Sequence, residues 1–527
     1  MATRDAGAQR GNPARRRSRR SGGHDANRRS AGPVVRQLPW AIPFNNDAPT
    51  EPLNQEQVQA VHHGAMRVLE EIGIEFLNDE ARDILKAAGC ETSPGSTNVR
   101  MDREQVMEKV KLAPSEFTIT PRNPARRLVI GGRHMVFGNV SSPPNCSDLD
   151  RGRRVGDRES YRDLIKLTQY FNCIHFAGGY PVEPVDIHAS VRHLDCLYDK
   201  LTLTDKVAHA YSLGSARVED VMEMVRIAGG LTHEAFEATP RMYTNINSSS
   251  PLKHDWPMLD GAMRLARRGQ PTIVTPFTLA GAMAPVTIAG AVAQFVAEGL
   301  AAIVLLQCVK PGVACAIGSF TSNVDMRTGA PAFGTPEYMR ATQLSGQMAR
   351  FYGLPLRASN ACAANCADAQ AAWESAFSLW AAVSAGVNMV YHAAGWLEGG
   401  LCASYEKFVM DCETLQQIMT YLEPVPTTEQ DIAFDAILEV GSEGHFFGCQ
   451  HTQDRYESAF YSPFLSDWSN FESWEERGSV DTPRRANATW KKILEDFEAP
   501  ALDEAVHEEL KSFVERRKSE GGAPTDF

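Results

Sequence analysis

Side chains able to hold an organic ion or move a proton recur at the ends of short apolar runs in this sequence. Phe176 and Tyr180 close one run and Tyr211 the next; then come Asn245 with Asn247, Phe277, Phe320, Arg357, and the pair Tyr391–His392. The polar loop 321–331 carries Asp325, and Gly334-Thr335-Pro336-Glu337 marks a helix start with a carboxylate in its first turn. Aromatic faces and carboxylates hold cations, while amides and guanidinium groups hold carboxylates. Glu337 and His392 are the candidates for catalytic work; Phe176, Tyr180, Tyr211, Asn245, Asn247, Phe277, Phe320, Asp325 and Arg357 are candidates for binding. Alternation of side chains along a strand forbids Tyr391 and His392 from both facing inward. His392 is preferred, because Asn388 and Val390 would share its face. Each residue has a plainer reading too: core packing for an aromatic, helix capping for Glu337, a satisfied core histidine for His392.

The elements that must position these residues alternate regularly. Strand-like runs fall near 134–140, 174–179, 206–212, 241–247, 271–277, 313–319, 354–360 and 388–394. Helical patterns lie between them at 157–171, 187–200, 215–228, 257–268, 286–309, 335–352 and 368–384. Eight strands with helical crossovers predict an α/β fold, a (β/α)8 TIM barrel, whose chemistry sits at the strand C-termini. The barrel is expected over 134–404. Residues 37–133 read as a helical and hairpin lead-in, with Asn54 capping a first helix, helical runs at 78–88 and 102–112, and short strands near 127–131 and 134–140. Residues 405–527 read as a helical extension packing on the barrel.

Composition bounds the class. The 527 residues are 43% hydrophobic and 22% charged, ordinary for a globular enzyme. Eleven scattered cysteines form no dense framework, which points to free thiols in the cytoplasm. The net charge of −12 hides an Arg-rich head: residues 1–36 hold ten Arg and two Asp. That head has no apolar run and is expected to be a disordered tail; a transit peptide, a nucleic-acid arm or a mis-assigned start are the alternatives. Two apolar stretches, 282–307 and 375–397, are long enough to span a bilayer but read better as buried barrel elements. Neither a membrane nor a nucleic acid is therefore an expected partner.

Motifs exclude several chemistries. The chain has no Gly-x-Gly-x-x-Gly after a first strand, no phosphate-cradling Gly-Lys-Ser loop and no His-Glu-x-x-His. His193 with Cys196, Cys362 with Cys366, and Cys402 with Cys412 lack tight ligand spacing, so no metal site is expected.

One resemblance is specific. Asp325-Met326-Arg327-Thr328-Gly329 with Gly334-x-Pro336-Glu337 resembles the trimethylamine methyltransferase (MttB) family. So do Asp368-Ala369-Gln370-Ala371-Ala372-x-Glu374, then 386–395, Gly399-Gly400-Leu401 and Ser404-x-Glu406-Lys407. Gly444-His445-Phe446-Phe447-Gly448-x-x-His451-Thr452 and Phe460-Tyr461 continue it. The resemblance covers 157–527 well and 54–150 more loosely. It implies a barrel enzyme that moves a methyl group from a methylated amine to a separate corrinoid protein, with cobalamin carried by that partner, no tightly bound cofactor, and a homo-oligomeric assembly. Founding members carry pyrrolysine near the loop matching 359–368; Ser359 to Cys366 here are standard residues. Members without pyrrolysine are associated with quaternary amines such as glycine betaine, carnitine and proline betaine, so a betaine-like substrate is expected. Asp186-Ile187-His188 begins like a cobalamin-ligating run, but Val191 stands where that run needs Gly, so no corrinoid module is expected within the chain. Two other readings stay open: a zinc-dependent barrel methyltransferase for thiol or alcohol methyl groups, and a barrel that binds betaines without turnover.

Overall fold

The computed structural model describes residues 33–525, so the tail expected over 1–36 falls almost wholly outside the described residues. Val35 is buried, and its N–H donates to the Tyr170 hydroxyl at 3.1 Å.

Eight parallel strands close a barrel: β1 (Val136–Asn139), β2 (Phe176–Ala177), β3 (Val207–Tyr211), β4 (Tyr243–Ile246), β5 (Thr272–Val274), β6 (Cys315–Gly318), β7 (Leu356–Ser359) and β8 (Met389–Ala394). Each pairs with the next, and β8 returns to β1. The crossovers are α1 (Arg158–Tyr170), α2 (Ala189–Leu203), α3 (Ser215–Ala228), α4 (Trp256–Arg267), α5 (Ile288–Val309), α6 (Pro336–Tyr352) and α7 (Ala369–Ala385), and α8 (Tyr405–Tyr421) follows β8. All the expected strands and helices of the barrel are present, with ends displaced by three residues at most.

Local chemistry explains these boundaries. Side chains of Asp157, Asp255, Thr335, Asp368 and Ser404 accept backbone N–H bonds at the starts of α1, α4, α6, α7 and α8. Each such cap stabilises its helix by about 1 kcal/mol. Gly353 and Gly386 end α6 and α7 in the left-handed conformation that a side chain would strain. Helix α5 is apolar on every side because it lies between the barrel and the lead-in: Gln55–Arg67 packs across it, with the Ala293 Cβ 3.5 Å from where a Gly64 Cβ would stand. By length and composition α5 could cross a membrane, yet most of it is buried against protein. Asn54 caps the first lead-in helix through a reciprocal pair with Gln57. The expected helices at 78–88 and 102–112 are Asp79–Ala87 and Arg103–Val110.

The hairpin differs from expectation. Leu128–Gly131 pairs with Glu116–Ile119, a strand the sequence did not advertise, rather than with 134–140. Phe117, Ile119, Leu128 and Ile130 form one cluster with Val136, Val207 and Met389, so this hairpin plugs the N-terminal end of the barrel. The core above it is built in layers. Phe176, Tyr243 and Tyr391 come from β2, β4 and β8 and meet across the lumen, with ring centroids 5.1 to 6.1 Å apart. Gly138 on β1 makes room for this layer, since a Cβ there would fall 2.2 Å from the Phe176 ring.

Candidate active site at the barrel mouth

The layer of Phe176, Tyr243 and Tyr391 is the floor of an aromatic network that lines the C-terminal end of the barrel. Tyr180 contacts Tyr211 at 4.7 Å, Tyr211 contacts His209 at 4.9 Å, and His209 contacts Tyr243 at 5.2 Å. On the far side Phe320 stacks between Phe277 at 5.0 Å and Phe333 at 5.3 Å. His392 joins the halves: its ring lies 5.9 Å from Tyr391, 5.9 Å from Phe320 and 4.1 Å from Trp396.

A distortion of β8 makes that junction. His392 has φ +55°, and the register of β8 against β1 shifts between Val390 and Ala394. A bulge re-aims the residue it contains. Met389 and Tyr391 occupy the lumen face by ordinary alternation, and the bulge brings His392 to the lumen as well. Two parts of the sequence reading are corrected here. Tyr391 and His392 do share the lumen, and His392 does not reach it on a common face with Val390, which packs in the outer core. The His392 Nδ1 lies 3.1 Å from the Ser359 Oγ, and Nε2 3.1 Å from the Ser141 Oγ. Burial, with Arg357 nearby, holds its pKa well below the usual histidine value, so the ring is neutral.

Arg357 is a candidate anion ligand of the lumen with no ion pair to a protein carboxylate among the described residues. Its side chain is 4% exposed, and Nε and Nη1 have no hydrogen-bond partner. The guanidinium instead lies 4.3 Å over the Tyr391 ring and 5.5 Å over that of Phe320. Burial lowers its pKa, and the rings of Tyr391, Tyr338 and Tyr243 oppose that. Arginine nonetheless stays charged. Two further donors are unpaired. The His209 Nε2 accepts the Asn245 N–H at 3.3 Å, which leaves the proton on Nδ1 with no acceptor; the Trp396 Nε1 also has none.

The other candidates separate by surroundings. The Asn245 Oδ1 accepts from the Thr275 hydroxyl at 2.6 Å, and its amide donates to the Asn247 Oδ1 at 3.0 Å. The Tyr211 hydroxyl lies 2.7 Å from the Ser142 Oγ and accepts the Tyr180 N–H; burial pushes its pKa up to about 12. Tyr180 and Tyr211 line a lateral cavity of about 330 Å³ with His209 and Lys200, and neither Phe320 nor His392 borders it. Lys200 reaches in from α2 to bind the carbonyls of Gly179 and His209 where β2 and β3 diverge. Glu337 is exposed on the first turn of α6, where the Thr335 hydroxyl does the capping. Asp325 is half-buried and closes its own turn, accepting from the Thr328 hydroxyl at 2.7 Å. The candidates Tyr180, Tyr211, Phe320, Glu337 and His392 therefore do not line a single cavity. Trp396, Phe333 and His209 were missed by sequence reasoning. Trp396 and Phe333 sit outside the barrel strands, where no long alternation marks them; His209 lies two residues before Tyr211 on the same strand face and was legible.

Among the described residues no cluster of three His, Cys, Asp or Glu side chains could hold a metal. The His193 Nε2 bonds Asp220 at 2.9 Å, the Cys362 thiol donates to the Trp396 carbonyl at 3.0 Å, and all eleven cysteines are free. His188 caps α2 through Ser190, an ordinary structural use.

Comparison with known proteins adds an independent line. The sequence profile described as "Trimethylamine methyltransferase (MTTB)" matches residues 17–522. A glycine betaine methyltransferase of Desulfitobacterium hafniense is 37% identical over 471 residues, covering 89% of this chain and 98% of the relative. A trimethylamine methyltransferase MttB of the same species is 28% identical, covering 89% and 94%. One from Methanosarcina mazei is 28% identical, covering 88% and 94%.

Proposed function

Because the chain belongs to the trimethylamine methyltransferase (MTTB) family and is a methyltransferase, we propose that its methyl donor is a betaine-like quaternary amine and its acceptor the Co(I) of a separate corrinoid protein. The observation that carries this reading is Arg357: a buried guanidinium with unpaired donors, set against aromatic rings.

Electrostatics selects the substrate. A buried cation repels a bare ammonium in a low-dielectric lumen. A betaine brings its own carboxylate, which Arg357 can hold while aromatic faces hold the ammonium. Such a cage contributes roughly 2 kcal/mol or more when desolvated. The unpaired N–H groups of His209 and Trp396 are further donors for a polar ligand. Asn245 and Asn247 already satisfy each other, so they rank behind Arg357 as carboxylate ligands.

The chemistry asks little else of the protein. A quaternary methyl is activated by permanent charge, and the tertiary amine departs neutral and needs no proton. The partner's corrinoid supplies the nucleophile, in line with the carbon–nitrogen bond. The chain's own residues orient the donor and exclude water. His392, neutral and fixed between Ser359 and Ser141, is a positioning residue in this reading. Glu337 stands outside the lumen, exposed on the first turn of α6. Ser359 to Cys366 contribute only hydroxyl, amide, methyl and thiol groups, none of them the electrophile that pyrrolysine supplies.

The test is a substrate panel with free Co(I) cobalamin as acceptor. Methylation from glycine betaine, carnitine or proline betaine is expected, and none from trimethylamine. Turnover of trimethylamine with none of the betaines would overturn the reading. The relative named for glycine betaine favours this arm of the family.

A further inference from the structure

The lateral cavity bordered by Tyr180, Tyr211 and Lys200 stands apart from the lumen. It lies between α2, α3 and the C-terminal end of β3, and its volume of about 330 Å³ is at the lower end of small-molecule pockets. Leu197, Ala210, Leu213 and Val221 give it apolar walls, and the two tyrosines add aromatic faces. On the lumen side the packing is tight: a Cβ on Gly179 would fall 2.7 Å from the Tyr211 hydroxyl and 2.9 Å from the Ser141 Cβ.

Lys200 puts a charge into this apolar space. Its side chain is 1% exposed, and its ammonium donates to the carbonyls of Gly179 at 3.0 Å and His209 at 3.4 Å. An ammonium has three protons, so one is left without an acceptor. No carboxylate pairs with it among the described residues; Glu183, which borders the same cavity, is taken by Arg192. Burial pulls the Lys200 pKa down to about 8, and an anion beside it would restore the charged form. Lys206 shows what a purely structural lysine looks like in this chain. It also binds two carbonyls, those of Thr168 and Phe171, but its ammonium lies 5.6 Å over the Trp40 ring and it does not border the cavity. A second polar group in the wall is unsatisfied: His193 is held by Asp220 through Nε2, and its buried Nδ1 has no hydrogen-bond partner.

A strap crosses the cavity. Beyond the helix Glu504–Ser519 the chain turns at Gly522, where a Cβ would fall 2.2 Å from the Ser190 carbonyl. The Ala523 N–H then donates to that carbonyl at 2.8 Å, Arg217 donates to the Pro524 carbonyl at 2.7 Å, and Thr525 borders the cavity. The strap thus ties the start of α2 to α3. A surface segment of this kind opens at far lower cost than the barrel beneath it.

We propose that this cavity binds a small organic carboxylate, with its charge on Lys200 and its apolar body against Leu197, Val221 and the tyrosine rings. The apolar walls favour such an ion over inorganic phosphate, and the volume is too small for a corrinoid. The site is distinct from Arg357 and stands whether or not Arg357 holds a betaine.

Butyrate is the probe, since it carries neither an ammonium nor a transferable methyl. The Arg357→Met chain serves as background, because it removes the Arg357 guanidinium from the lumen. Calorimetry or saturation-transfer NMR should show saturable butyrate binding to that chain. Adding Lys200→Met should weaken it about tenfold or more, and adding Val221→Trp, which fills the cavity from α3, should abolish it. Inorganic phosphate should compete poorly. Hydrogen exchange in the Arg357→Met chain needs no variant in the cavity, so it decides if those variants misfold: butyrate should slow exchange at Ala523 and along α2. Absence of binding in the Arg357→Met chain, binding undiminished by Lys200→Met, or unchanged exchange at Ala523 and α2 would overturn the proposal. Butyrate bound to the parent and to Lys200→Met alone, but lost with Arg357→Met, would put the carboxylate in the lumen and overturn it equally. Butyrate held at Lys200 while no betaine is turned over would count against the proposed methyl donor and leave this site standing.

Discussion

Tyr391 and His392 are adjacent in the chain, yet both rings face the barrel lumen, their centroids 5.9 Å apart. A regular strand cannot do this. The positive φ of His392 and the slipped register against β1 turn its side chain back toward the mouth. Most features proposed for the site depend on this local departure from alternation.

The bulge should therefore tolerate only certain residues. Asparagine populates the left-handed region readily, and a β-branched residue there is strained. His392→Asn should keep stability near that of the parent chain, whereas His392→Val should lose about 1–2 kcal/mol from backbone strain. Denaturant unfolding measures both. Equal stability of the two variants would show that the backbone at 392 is not held as described.

Arg357 should divide the substrate panel. Replacing it with Met removes the buried guanidinium that faces the Tyr391 and Phe320 rings. Loss of one partner of a buried charge pair costs about 2–5 kcal/mol, so kcat/KM for glycine betaine should fall at least 30-fold. Turnover of choline, which has no carboxylate, should not fall. The substrate-free variant should be no less stable than the parent, since an unpaired buried charge is removed. Equal losses for betaine and choline would assign Arg357 a structural role only.

Acid should weaken the fold early. His175, His209, His254 and His392 are buried, and burial lowers the pKa of each, that of His175 to about 3. The native rings are neutral, while the unfolded chain takes up protons below about pH 6.5. Their contribution is complete above that value and is lost as pH falls toward the native pKa. Each group costs about 1.4 kcal/mol per pH unit in that window. Stability from denaturant titration should drop by several kcal/mol between pH 7 and pH 5. A flat profile would contradict neutral buried histidines.

Metal should be dispensable. The cysteines and histidines with candidate spacing go to hydrogen bonds, as Cys362 does with Trp396 and His193 with Asp220. The purified chain should hold no stoichiometric zinc, and chelation should leave methyl transfer unchanged. One zinc per chain with activity lost on chelation would favour the zinc-dependent alternative.

The barrel was legible in the sequence because its signals are local. Alternating strand and helix periods, caps such as Asp368 and Ser404, and the glycines that end α6 and α7 all act within a few residues, and they located every strand of the barrel. Residue type likewise marked Phe320, Arg357 and His392 as candidates. Only tertiary structure decided which candidates meet. Asp325 and Glu337 read as site carboxylates, but the first closes its own turn and the second stands outside a cap made by Thr335. Leu128–Gly131 took Glu116–Ile119 as its partner, while the equally near run at 134–140 was drawn into the barrel as β1. Phe333 and Trp396 reach the rings from segments beyond the barrel strands, whose path depends on the closed barrel beneath them. Strand parity, as the sequence reading applies it, puts His392 inward at the expense of Tyr391. Instead Tyr391 takes the lumen face by alternation, and His392 reaches it through a kink invisible in the sequence, because a bulge is set by how β8 must register against β1 once the barrel closes. Periodicity is a property of the neighbouring residues; lumen geometry is a property of all eight strands together.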